Sequence, residues 1–489
     1  MTDQYVERLL KDLIALSDKI YSYQILHEDL LDGIEESRRV SMINLLNYIV
    51  LRRHDIRELQ DILHEFGLSS FSGSEGHVSS QIVQVIRRLD PTYSPSHPPV
   101  CTFLEGRELL KRNTEKLFGK REEPIPHIMV TFDSSFLEEP DKIKNLLSNG
   151  MNVARINCAH DNSEIWLALI EKLKKYSKKL NTPCKIFMDL AGPKIRTEIL
   201  GEGKKKGKVK IVEGDEFLLV DKDTKFDKKD IVIGCTLPHI TKFIQEGERI
   251  MFDDGALEAL VIKKDTGQLR LKMLRNSKNS QKLKAEKGIN FPDSELEVPS
   301  LTDYDKACLP FIAEHADMVG YSFVNSAKDV EALQSALNEF KQQPYIVLKI
   351  ETPAAVKKFP SLLIQGMKEN LIGVMIARGD LAVEIGFERM SEIQEEILWF
   401  CEAAHVPVIW ATQVLETLHK TGIATRAEMT DAANAIAAEC IMINKGDYTI
   451  KVLDTLKDVL RRTSGHRYKK RYYLRPLNIA QNFIFVQKK

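Results

Sequence analysis

The sequence predicts an α/β protein: a parallel (β/α)8 TIM barrel, with a small β-barrel domain inserted after its third strand and an α-helical module ahead of it. Three observations predict this. After residue 127, eight short apolar runs alternate with amphipathic stretches of helical period, the pattern of parallel strands buried on both faces. Between the third and fourth runs, residues 195–294 read as short alternating strands separated by G-D and D-D-G turns. Up to residue 89, apolar side chains recur at helical spacing. A doubly wound sheet is the less favoured arrangement of the same eight units.

Taken in order, the helical module (1–89) carries Val6, Leu9, Leu10, Leu13 and Ile14 on one face, then "SMINLLNYIVLRRHDIRELQDILHEFG" with a glycine stop at Gly67, enough for three or four helices. "DPTYSPSHPP" (90–99) holds four prolines and cannot be a regular element. It opens a linker and lead-in helix (90–126). The barrel (127–194 and 295–465) takes its strands from IMVTF, VARINC, KIFMDL, MVGYSF, YIVLKI, GVMIA, VPVIWAT and CIMIN. An insertion at the C-terminal face of such a barrel becomes a lid, because that face carries the active site. The end (466–489, "HRYKKRYYLR…") reads as a solvated basic tail.

Lys plus Arg and Asp plus Glu are both 70, so bulk charge favours neither nucleic acid nor an anionic membrane. Any anion binding must be local. No apolar stretch approaches a membrane span, and "MTDQYVERLLKD" has no leader-like apolar region, so a cytoplasmic protein is expected. The seven cysteines are scattered without a C-x-x-C pair and read as reduced, mostly buried side chains. "GEGKKKGK" (201–208) imitates a phosphate loop, but its glycine spacing is wrong by one residue and its context is β-rich, so a solvated hairpin turn is expected.

The informative residues of such a barrel lie at its strand ends. In order these are Thr131 and Asp133; Arg155, Asn157 and His160; Asp189 with Lys194 and Arg196; Lys349 and Glu351; Arg378 and Asp380; Thr412 and Gln413. Glu351 and Asp380 suit a hard divalent cation, Mg2+ or Mn2+. Arg155, Arg196 and Lys349 suit a phosphate or carboxylate. "ARGDLAVEIG" reads as a turn entering a short helix whose free N–H groups could hold a carboxylate. Each also has a plainer reading: Asp189 or Asp380 could cap a helix, and any one charge could be solvated.

With those strand ends in view, residues 127–462 resemble pyruvate kinase. The matching stretches are "GMNVARINCAH", "MDLAGPKIRT", "FDDG", "KGINFP", "VLKIET", "GVMIARGDLAVE", "PVIWATQVLE", "TRAE" and "CIMIN". The resemblance implies phosphoryl transfer from phosphoenolpyruvate to ADP, giving pyruvate and ATP. Carried over by position, Glu351 and Asp380 would hold the metal and Lys349 would neutralise the phosphoryl group and enolate. Arg155 and Arg196 would bind the phosphoryl group, and Arg378, Gly379, Asp380 and Thr412 would line the substrate, with Thr412 on the proton-delivery side. Asn157, His160 and Lys287 would meet the nucleotide, and Asp253 and Asp254 belong to the closing lid.

Several positions depart from the family pattern. "TFDSSF" replaces T-I-G-P-A-S in the loop after strand one, which lies near the nucleotide. Asp189-Leu190-Ala191-Gly192-Pro193-Lys194 replaces D-T-K-G-P-E, and Ala159 replaces a serine that helps bind K+. Lys194, with Leu190, matches members that work without K+; Lys194 beside Asp189 would substitute for the ion, so K+ is not expected to be required. The loop after strand eight is shortened to "NKGDYT", the usual C-terminal domain has no counterpart, and the helical module is additional. Two alternatives are an enolate-stabilising lyase or other phosphotransferase on the same barrel, and a non-catalytic ligand-sensing or scaffolding protein. A homo-oligomer is possible; nucleic acid and membrane are not expected partners.

Overall fold

A computed structural model describes residues 3–276, 282–296 and 298–472. The eight apolar runs form His127–Phe132, Val153–Asn157, Lys185–Asp189, Met318–Tyr321, Tyr345–Ile350, Ile372–Ala377, Val408–Ala411 and Cys440–Ile443. All neighbours are parallel and the sheet closes, the first strand pairing with both the second and the eighth. It is therefore a barrel, not a doubly wound sheet. Met129, Val153, Phe187, Met318, Val347, Met375, Ile409 and Met442 fill its interior. The lead-in helix Phe103–Phe118 adds Leu117 and Phe118 to this interior cluster. A complete capping box, Thr102 with Glu105, starts that helix.

The helices Asp3–Leu26, Glu36–Arg52, Arg57–Glu65 and Val78–Leu89 form the N-terminal module. Its apolar faces join those of the barrel helices in one continuous core, including Leu13, Leu45, Ile86, Leu362 and Ile397. Polar bonds fix the seam. Asn44 Nδ2 donates to the carbonyls of Glu75 (2.7 Å) and Ala403 (2.8 Å), and buried His405 lies 2.8 Å from the Gly76 carbonyl and 2.9 Å from Ser41 Oγ.

The insertion has its own core, with Phe217, Leu219, Phe252, Val261 and Leu271. Its main sheet has seven strands, running from Ile289–Asn290 at one edge to Thr197–Ile199 at the other. The Thr197 N–H donates to the Lys287 carbonyl (2.8 Å) and Ile289 N–H to the Ile195 carbonyl (3.1 Å), joining the two edges. Lys208–Lys210 and Lys282–Lys284 form a separate two-stranded ribbon.

The start of the basic end differs from expectation. Arg467–Tyr468 and Arg471–Tyr472 pair as a small hairpin. Between them, buried Lys469 pairs with Glu439, and Lys470 lies 3.0 Å from buried Glu75. Charge composition suggested solvation, but half-buried Glu439 on the barrel and buried Glu75 on the module supply partners for these cations. The remainder, 473–489, lies outside the described residues.

Candidate active site

Charged side chains from strands two, three and five meet at the barrel mouth. Buried Lys349 places Nζ 3.0 Å from Glu351 Oε1 and 3.3 Å from Asp189 Oδ1, and donates to Ser322 Oγ at 2.7 Å. Arg155 donates to Asp189 Oδ2 through Nε (3.0 Å) and Nη2 (2.5 Å), and to Thr131 Oγ1 through Nη1 (3.1 Å). Asp189 and Lys349 belong to strands separated by strand four, whose Gly320 is the reason they meet. A Cβ there would stand 2.5 Å from Asp189 Oδ1 and 2.5 Å from Phe187 Cζ.

The electrostatics follow from this packing. Burial alone would raise the Asp189 carboxyl, but Lys349 and Arg155 outweigh it and hold the group below the usual carboxylate range. Burial likewise opposes the charge on Lys349, yet Asp189 and Glu351 hold its ammonium above the ordinary value. Glu351 is pushed up, first by burial, with Lys349 opposing and the Asp380 charge adding to the rise. Its Oε2 accepts from the Phe323 N–H at 2.7 Å.

The short helix Arg378–Ile385 carries Asp380, whose Oδ1 receives Lys194 Nζ at 2.8 Å. Its Gly379 N–H donates to Thr412 Oγ1 at 2.7 Å, so that donor is engaged with protein. Thr412 sits at φ 62°, a conformation costly for a β-branched residue. Arg378 braces it. Its guanidinium donates to the carbonyls of Ala411 (3.1 Å) and Thr412 (2.7 Å), pairs with Asp431, and stacks 4.6 Å from the Trp410 ring. Buried Arg378 thus braces Thr412 through Nε, Nη1 and Nη2.

The lid contributes a second set. Arg196 donates to the Glu286 carbonyl at 3.0 Å, and Lys287 lies 2.8 Å from Asp253, which with exposed Asp254 forms a left-handed turn at φ 51° and 55°. His160 on the barrel is lowered by burial and by the charges of Lys445 and Arg196. Asn157 accepts the Ala159 N–H at 3.1 Å, holding the turn that presents His160. Asn290 bonds Glu384 across the lid–barrel boundary at 2.7 Å. The two altered loops meet: Asp133 pairs with Lys445 and accepts Ser135 Oγ at 2.6 Å.

Sequence reasoning missed Ser322, Phe323, Gly320 and the Asn290–Glu384 contact. Applying the strand-end rule to strand four would have found Ser322. Nothing local marks the others, because each matters only through a neighbouring strand or the lid.

Two carboxylates that repel one another across a cleft fit a hard divalent cation with oxygen donors. Among the described residues no group of three or more His, Cys, Asp or Glu converges, so such an ion held by Glu351 and Asp380 would complete its shell with substrate or water oxygens. The basic neighbours Lys349, Arg155 and Lys194 equip the same cleft for an anion.

The profile of the pyruvate kinase barrel domain matches residues 127–451. The chain is 32% identical over 348 residues to pyruvate kinase PKLR of Rattus norvegicus, covering 68% of this chain and 59% of the relative. It is 32% identical over 334 residues to pyruvate kinase of Staphylococcus epidermidis, 66% of this chain and 54% of that protein. To pyruvate kinase 1 of Trypanosoma brucei brucei it is 33% identical over 322 residues, 64% and 62% respectively. It thus spans little more than half the length of these relatives. No described helix is long and apolar enough to cross a membrane. A closed eight-stranded barrel, a lid inserted after strand three and a profile match over most of the chain agree: the chain belongs to the pyruvate kinase family.

Proposed function

We propose that the protein is a divalent-metal-dependent phosphotransferase that moves the phosphoryl group of phosphoenolpyruvate to ADP, yielding pyruvate and ATP, and that it works without K+. The observation that carries this reading is Lys349, a buried ammonium bonded to Asp189, Glu351 and Ser322 at the mouth of the barrel. In this reaction the enol oxygen–phosphorus bond breaks, a bond from phosphorus to a terminal oxygen of ADP forms, and the enolate takes a proton at its methylene carbon. Transfer of this kind requires positioning and charge neutralisation more than covalent help. Arg155 and Arg196 bind the phosphoryl oxygens. Lys349 offsets negative charge on the group in flight and on the enolate oxygen. Thr412 holds its hydroxyl proton at the end of strand seven, fixed by Gly379 and the Arg378 clamp. Glu351 and Asp380 would hold the metal, which supplies Lewis-acid polarisation of substrate oxygens when bound. The lid, carrying Lys287, Asp253 and Asp254, excludes water from the transferable group.

A coupled assay with phosphoenolpyruvate, ADP and Mg2+ tests this. Pyruvate formation that disappears in Lys349→Met supports it. Metal-dependent binding of phosphoenolpyruvate without pyruvate formation assigns the cleft to other chemistry, and loss of both overturns catalysis altogether. A second reading, a phosphoryl acceptor other than ADP, is favoured by the Asp133–Lys445 pair between the two altered loops. Phosphoryl transfer from phosphoenolpyruvate to an alternative acceptor, with pyruvate formed and none transferred to ADP, would select it.

A further inference from the structure

The ribbon on the lid carries lysines in an arrangement that the proposed reaction does not use. Lys208 stands directly opposite Lys284, and Lys210 opposite Lys282. Residues two apart on a strand share a face, so all four point the same way, while Val209 and Leu283 between them are buried on the other. Like charges placed directly opposite destabilise a ladder. Spacings of about 5 Å across and about 7 Å along put the four Cβ atoms in a patch under 1 nm wide. Lys204, Lys205 and Lys206 add a basic turn between Gly203 and Gly207, both in the left-handed conformation, immediately before the ribbon. All seven lysines are exposed, and among the described residues none forms an ion pair. The acids flanking these segments in the chain are Glu202, Glu213 and Glu286. A chain of zero net charge thus concentrates seven cations at one place, against its own stability.

The composition of the patch narrows its ligand. Residues 203–210 and 282–285 contain no aromatic side chain on which a base could stack and no Arg to make a planar two-pronged contact with a base edge. Among the described residues of the ribbon and its turn, 203–210 and 282–285, no large apolar side chain is exposed for insertion into a bilayer. What remains is a cluster of point charges, which suits several phosphates held close together.

We propose that this lysine face is a binding site for a compact polyphosphorylated anion, either free or as a lipid headgroup. The site is continuous with the lid's cleft edge. Lys284 and Lys287 both offer their carbonyls to Thr197, Glu286 offers its carbonyl to Arg196, and Lys287 pairs with Asp253. An anion bridging the ribbon would restrain the segment that carries these cleft residues.

Calorimetric titration of the full chain with sodium tripolyphosphate tests the site. The expected result is binding that weakens steeply as salt rises, falls at least tenfold in Lys208→Gln/Lys284→Gln, and survives in Lys349→Met. Unchanged affinity in the ribbon variant, or loss in Lys349→Met, would overturn it by moving the anion to the cleft. Should the first variant fail to fold, judged by its melting curve, Lys205→Gln/Lys210→Gln asks the same question. Sedimentation with phosphatidylcholine vesicles containing a bisphosphorylated phosphoinositide, competed by tripolyphosphate, identifies a headgroup as a source. Binding of duplex DNA without binding of either phosphate probe overturns the proposal.

Discussion

Lys194 Nζ lies 2.8 Å from Asp380 Oδ1, joining the loop after strand three to the helix after strand six. The ammonium is thus held at one of the two carboxylates expected to bind metal and not at Asp189, whose ion-pair partners are Arg155 and Lys349; the proposed K+ independence rests on this fixed positive charge. Lys194→Glu would instead set a second carboxylate against Asp380. Activity of that variant without K+ should fall at least tenfold and rise with added K+, whereas the unmodified protein stays flat. A flat K+ response in both would remove the substitution argument.

Arg378 positions Thr412 through two carbonyl acceptors and an ion pair with Asp431. Lysine cannot reach all three at once. Losing one or two charge-assisted bonds, worth about 1.5–3 kcal/mol each, should lower kcat of Arg378→Lys by about 10- to 100-fold. If bracing Thr412 is its whole contribution, KM for phosphoenolpyruvate should change little. A raised KM with unchanged kcat would show instead that the side chain touches substrate.

Gly320 leaves the space in which Asp189 crosses strand four. Gly320→Ala should destabilise the protein by about 1–3 kcal/mol through overpacking, read from the urea midpoint. It should also cost activity beyond that expected from stability, since the Arg155–Asp189–Lys349 chain must shift. Unaltered stability and turnover would mean that the strand accommodates a methyl group freely.

Burial, with the charge of Glu75 next, raises the carboxyl of Glu402 to about 7 at the seam between module and barrel. A folded-state value above the unfolded one means the native protein holds a proton that the unfolded chain releases. Stability from this group is therefore present at low pH and lost as pH rises from about 4.5 through 7. The melting temperature of Glu402→Gln minus that of the unmodified protein should become more positive between pH 5 and pH 8. Taking the difference removes His405, whose value is lowered by burial to about 4 and which contributes the opposite slope below its ordinary range. A pH-independent difference would show Glu402 to be ionised throughout.

Much of this protein is determined by sequence alone. Eight apolar runs with period-appropriate helices between them specify a parallel sheet covered on both faces and favour a barrel over a doubly wound sheet; the closure of the first strand on the eighth decides it. The inserted β region is equally legible, since alternation and turn residues are local signals. Lys349, Glu351, Asp189 and Asp380 were visible as charges ending apolar strands. The resemblance in those same stretches named their family.

Tertiary structure decided the rest. That Asp189 reaches Lys349 depends on the absence of a side chain at Gly320, on a different strand. That Arg378 braces Thr412 depends on Asp431 and Trp410, each distant in the chain. Lys469 and Lys470 read as solvent-facing charges until Glu439 and Glu75 are found beside them. Sequence periodicity reports which face of an element is buried, but the partner of a buried charge is fixed by the packing of elements far apart in the chain. For this protein, that packing separates the charges facing the cleft from those that hold it in shape.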